Sequence, residues 1–193
     1  MDTMGVVVGA VGAVIAIVVV GLVWTVVRSY NRLIRLRNQT RASWAQIDVQ
    51  LKRRHDLIPN LVETAAEYAA HERGTFEAVT TARGAAASPD LGTAERAEAE
   101  NALSSTLARL LVTAESYPEL KASQTFLRLQ SELAGAEDKI AYARQFYNAA
   151  VQSYNTAQES FPGNLVAGLS EHARQEYFEA GAESRESVQV RFR

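Results

Sequence analysis

The chain has 193 residues, about one domain's worth, no cysteine and a formal net charge of −2. The missing thiols exclude a disulfide framework and a thiolate metal site. The charge is uneven: residues 28–54 carry a net +7, so a basic collar precedes an acidic remainder.

Residues 1–3 form a short N-terminal segment. Residues 4–27 contain no charged side chain and are almost all Val, Ile, Ala, Gly and Leu. At about 1.5 Å per residue such a helix covers the roughly 30 Å hydrocarbon core of a bilayer. The stretch predicts a transmembrane anchor over a cleaved signal peptide. It lacks a basic leading region, its apolar run is long, and no small-x-small site follows it. Arg28, Arg32, Arg35 and Arg37 follow the span and no basic residue precedes it. The positive-inside rule then places the N-terminus outside and the body in the cytoplasm, single-pass. The same four arginines predict contact with anionic lipid. Gly5, Gly9, Gly12 or Ala13, and Ala16 make a small-residue face. It suits close helix association, or is the ordinary glycine content of a membrane helix.

From Tyr30 a stripe recurs at alternating steps of three and four: Leu33, Arg37, Thr40, Trp44, Ile47, Leu51, Arg54, Ile58, Leu61, Ala65 and Tyr68. This is a heptad seam. Where Arg37 and Arg54 interrupt it, their stems are expected to cover apolar surface while their heads reach water. The phase survives Pro59, which favours one long kinked helix, the alternative being a reversal at Pro59.

Phe76, Val79 and Ala82 predict a short helix after Gly74. Thr93 is the expected N-cap of the next helix, whose face is Leu103, Leu107, Leu110, Leu111 and Ala114. Pro118 ends it, and the last helix is expected over 119–160. Its seam is the most regular feature of the chain. Phe126, Leu133, Ile140, Tyr147, Tyr154 and Phe161 recur every seven residues, and Leu129, Ala136, Ala143, Ala150 and Ala157 follow the first five by three. The alanines allow a partner helix to come close while the large residues fill the remaining space. Asn31, Asn148 and Asn155 each follow a tyrosine and either fix register by hydrogen bonds or stay solvated. Residues 169–193 read as a polar, flexible tail, in which Val188 to Phe192 alternates like a strand.

Three strings carry a family likeness. Ser43 to Thr64 contains Trp44, Gln46, Asp48, Arg53, Arg54, Asp56, Pro59 and Asn60. Tyr117 to Ala122 is the second, and Phe161 to Gly168 the third. Together they resemble the LemA family of bacterial membrane-anchored helical proteins, over about Tyr30 to Gly168, with a departure beyond Gly168. The resemblance implies an inner-membrane location, a helical domain over 28–168 and no established catalysis.

The expected fold is all-α, a membrane helix followed by an elongated antiparallel bundle in which two helices of roughly 65 Å pair. Such a body exposes apolar surface, and exposed patches mark interfaces. The expected function is a membrane-anchored scaffold or adaptor, self-assembling as a homo-oligomer at the cytoplasmic face of the inner membrane. A membrane-protein partner is the variant of this reading. The alternative is an accessory subunit or regulator of a membrane protease or other envelope machinery. An enzyme is the further rival, but no nucleophile elbow or phosphate loop is present. Ser43, Asp48, His55 and Asp56 make a hydrolytic set only on paper, since Ser43 and His55 stand roughly 18 Å apart along a helix. Glu67 and His71 make a weak metal pair. No cofactor, metal or nucleic-acid partner is expected, since the collar lies against the bilayer.

Overall fold

The computed structural model describes residues 3–169 and 173–179, apart from the side chains of residues 3–6 and 10. Val188 to Phe192, expected to alternate as a strand, lies outside the described residues. Six helices follow in order: α1 (Thr3–Tyr68), α2 (Arg73–Ala86), α3 (Thr93–Ala114), α4 (Pro118–Ala122), α5 (Gln124–Glu159) and α6 (Gly163–Leu169). No strand occurs among the described residues, and the fold is all-α.

Helix α1 continues through Pro59, with no reversal there. A proline at this position cannot donate to the carbonyl four residues back, that of His55. The freed oxygen finds another donor, Arg83 Nε of α2 at 2.8 Å. The backbone group that the proline orphans is thus satisfied from a neighbouring helix.

Several boundaries differ from the sequence-based expectation. Helix α2 begins at Arg73, so Gly74 lies inside it and not before it. Gly92, one residue before Thr93, caps α3, and Glu95 Oε2 accepts from the Gly92 N–H at 3.0 Å. An acidic residue in the first turn also suits the helix dipole. The last helix begins at Gln124 and not at 119, because Ser123 adopts an extended conformation (φ −65°, ψ 119°) that separates α4 from α5. Helix α5 ends at Glu159, so Phe161 leaves the seam and is 78% exposed.

The chain divides into two compact units. The first holds Met1–Ala42 and Ala149–Gln175. Its buried cluster is small: Leu33, Tyr154, Ala157 and Val166, with Leu36 and Ala167 against it. Gly163 sits so close to α5 that a Cβ there would meet the Ala157 carbonyl oxygen at 1.9 Å, so only glycine fits. The preceding Phe161–Pro162 bond is cis. Burial raises the Tyr154 phenol above its ordinary value, and Arg37 and Arg41 oppose the shift. Asn155 donates to the Gln175 carbonyl at 2.9 Å and accepts from its N–H at 3.0 Å.

The second unit holds Ser43–Asn148 and Glu176–Arg193. One core gathers Ile58, Leu61 and Ala65 of α1, Val79 and Ala86 of α2, Leu103, Leu107, Leu110 and Ala114 of α3, Leu120 of α4, and Phe126, Leu129 and Leu133 of α5. Within this unit α1 and α5 run antiparallel, since Trp44 meets Tyr147 while Arg54, ten residues on, meets Glu137, ten residues back. Tyr117 donates to Glu72 at 2.9 Å, and this bond, ahead of burial, raises its phenol.

Candidate functional site

Two features of the second unit stand out: a buried ionic cluster and an open apolar groove. The cluster centres on Arg54, which occupies a seam position of α1 yet is 1% exposed. Its head therefore does not reach water as the sequence reading expects. It pairs with Glu100 of α3, also 1% exposed, and with Glu137 Oε1 of α5 at 2.6 Å. Ser104 accepts from the same guanidinium at 2.8 Å. The second Glu100 oxygen lies 3.0 Å from His55 Nε2, and both are buried without a hydrogen bond. Arg144 of α5 stands near enough for its ionisation to respond. Burial lowers its pKa first, the Arg54 charge lowers it further, and Glu137 and Glu100 oppose them.

This cluster joins three helices through opposite charges, each supplied by a different helix. Removing one member of a buried pair strands the other, which costs about 3–5 kcal/mol. Glu100 is sealed from solvent with one oxygen on Arg54, and Arg54 reaches Glu137 as well, so the geometry is that of a clasp. The residues of the paper hydrolytic set go elsewhere: Asp48 pairs with Arg96 at 3.3 Å and Asp56 with Lys52 at 3.3 Å. Helix α1 ends at Tyr68, so His71 leaves the helical face it was expected to share with Glu67. Among the described residues no group of three or more His, Asp or Glu side chains converges as a metal site would require.

The groove lies between α1 and α5. Ala45, Gln46, Val49 and Gln50 form one wall, and Asp138, Lys139, Tyr142, Ala143 and Phe146 the other, around about 810 Å³. Val49, Tyr142 and Phe146 are 63%, 64% and 54% exposed. Tyr142 and Phe146 touch, with centroids 5.1 Å apart. Helical geometry explains the exposure. The seam residues Ile140 and Tyr147 take the inner stripe of α5, and Tyr142 and Phe146 lie on a neighbouring stripe.

The motif residues divide between these features. Trp44 packs edge-on against Tyr147 and Phe178, Gln46 lines the groove, and Arg54 builds the clasp. Arg53, Asp56, Pro59 and Asn60 are exposed. Phe126, Leu133, Ile140, Tyr147, Tyr154, Ala136, Ala143, Ala150 and Ala157 are buried. In the first unit Arg28, Arg32 and Arg35 are exposed and Arg37 half-buried, with the Arg28 guanidinium 5.3 Å from the centre of the Trp24 ring.

Sequence reasoning missed Glu100, Glu137, Tyr142, Phe146 and Phe178. Glu100 had a signal, since it stands on the apolar stripe of α3 with Ala97, Leu103 and Leu107. The expected tail also held a surprise. Phe178 is 0% exposed and its backbone is hydrogen-bonded to Asn148, so part of the segment after 169 packs as core.

A family model described as the LemA family matches residues 43–192. The match runs through the region beyond Gly168 where the sequence reading saw a departure. Among similar proteins are two named Magnetosome protein MamQ 1 and MamQ 2, from Paramagnetospirillum magneticum. Each is 27% identical over 186 residues, covering 83% of this chain and 68% of its own length. Magnetosome protein MamQ of Magnetospirillum gryphiswaldense is 27% identical over 198 residues, with 88% and 73% covered. Protein LemA of Metamycoplasma hominis is 27% identical over 137 residues, with 71% and 63% covered. With three quarters of its length matched by the model, the chain belongs to the LemA family.

Proposed function

We propose that this protein is a membrane-anchored helical scaffold, held by residues 4–27 with its body in the cytoplasm, and that copies assemble through the α1/α5 groove. The observation that carries the reading is the groove itself: three large apolar side chains, Val49, Tyr142 and Phe146, stand open together between α1 and α5. Two antiparallel helices make a natural cradle for a further helix. Asp138 and Lys139 both line it, so a two-fold axis passing beside them sets each against the opposite charge of the other copy. The apolar N-terminal stretch supports the anchor. Its described side chains from Val7 to Val27 are exposed almost throughout, and the helix is long and apolar enough to cross a bilayer. The basic collar supports the orientation and a contact with anionic lipid.

Membrane fractionation with in-cell crosslinking tests both halves. The scaffold reading expects retention after carbonate extraction, protection of the body from external protease, and crosslinked ladders of this chain. Release by carbonate removes the anchor, and digestion of the body from outside reverses the orientation. A crosslinked band with a different membrane protein in place of a ladder supports the accessory-subunit reading instead.

A further inference from the structure

Within the second unit a short stretch outside any helix, Glu176 to Glu179, lies against α5 and is held in the manner of a bound peptide. Asn148 takes both backbone groups of Phe178, accepting from its N–H at 2.9 Å and donating to its carbonyl at 3.1 Å. The Tyr147 hydroxyl donates to the Glu176 carbonyl at 2.9 Å. These three bonds go to main-chain atoms, a mode that reads backbone conformation and not side-chain identity. The identity is read by one ring. Phe178 is fully buried, edge-on to Trp44 with centroids 5.5 Å apart, and the Arg144 guanidinium sits 4.8 Å from its ring centre. A cation over an aromatic face in a dry setting is a specific contact.

We propose that the surface formed by Asn148, Tyr147, Trp44 and Arg144 is a binding site for an extended peptide with a single aromatic anchor, and that Glu176 to Glu179 is its ligand, bound in cis and separable from the body. The proposal does not depend on the groove, which involves other residues of α1 and α5. Main-chain bonds and one buried ring are contacts that a tether makes effective by raising the local concentration of the ligand. The same stretch on a second copy carries the same anchor and fits the same site. Trp44, a residue of the family motif, is then covered or bare according to whether the site is filled.

The test uses the full chain in detergent. A fluorescent peptide of residues 173–179 is titrated against wild type, Phe178→Ala, and Phe178→Ala with Asn148→Ala. The proposal expects saturable binding to Phe178→Ala and about tenfold weaker binding or less to wild type, whose site is filled. Adding Asn148→Ala, or replacing the peptide's phenylalanine by alanine, is expected to weaken binding at least about tenfold. A helical Phe178→Ala chain that takes up no peptide, or takes up both peptides equally, overturns the proposal. If Phe178→Ala loses its helicity, a protease site inserted after Leu169, which is 89% exposed, replaces it. Cutting there frees the tether, and excess peptide is expected to bind only after cutting. No gain of binding on cutting overturns the proposal equally.

Discussion

Residues 7–27 and residues 43–68 belong to one unbroken helix, α1, yet they use apolar side chains in opposite ways. In the first stretch apolar residues surround the helix and are exposed: Val8 at 67%, Ile17 at 71%, Val20 at 67%. In the second they keep a heptad, and Ile47, Leu51, Ile58, Leu61 and Ala65 are each at most 2% exposed, while apart from Val49 in the groove mostly polar residues face out. The backbone is the same; the period of the side chains differs. A helix apolar on every side has no inner face and needs an apolar solvent, whereas one with a stripe builds its own interior. The teaching is that burial on a helix follows from pattern, and that the same valine belongs to a lipid face or a core according to its neighbours.

The largest expected effect comes from the one charge on the buried stripe. Arg54→Ala should destabilise the body by about 3–5 kcal/mol, because it leaves Glu100 buried without its guanidinium partner. Chemical denaturation of the detergent-solubilised chain, followed by circular dichroism, measures it. A loss below about 1 kcal/mol would mean the clasp is not what joins α1, α3 and α5.

Next come the aliphatic positions. Leu61→Ala should cost about 2–5 kcal/mol. Ile17→Ala, in the outward-facing stretch, should leave the body's unfolding unchanged. Equal losses at the two sites would erase the contrast between the stretches. A charge in the first stretch reports differently: Ile17→Arg should add about 2.5–3.5 kcal/mol to the cost of insertion and lower the membrane-retained fraction. Glycosylation-reporter insertion assays check this.

A smaller effect is expected at high pH. Burial raises the phenols of Tyr147 and Tyr154, and the bond to Glu72 raises that of Tyr117. The folded chain therefore keeps these protons at a pH where the unfolded chain begins to lose them, near about 10. Their contribution is fully present below that value and is lost as pH rises through the folded values. Tyr147→Phe should flatten the alkaline fall in a pH series of melts. An unchanged slope would assign the fall to other groups.

How much of this was legible in the sequence follows from range. The stripes of α1 and α5 are local patterns and could be read directly. The Arg54–Glu100 contact joins residues forty-six apart, and nothing local says which helix brings the carboxylate. What was legible was the anomaly: opposite charges on two apolar stripes, a sign of a buried pair. Phe178 gave no such sign, since one aromatic in a charged stretch has no period. The groove was hidden for a related reason. Tyr142 and Phe146 are four apart and form a stripe of their own, but the stronger heptad beside them claims the eye and the interior.

The smallest expected effect on stability is at that groove, and it carries the central claim. Tyr142→Ala and Phe146→Ala alter exposed side chains and should each change unfolding by less than about 0.5 kcal/mol. Mass measurement of the detergent-extracted full chain, wild type against Tyr142→Glu with Phe146→Glu, is the direct test. The account predicts a wild-type oligomer that falls to a monomer in the double variant with its helical spectrum unchanged. A wild type that is monomeric across the concentration range, or a double variant that keeps the wild-type mass, would contradict it.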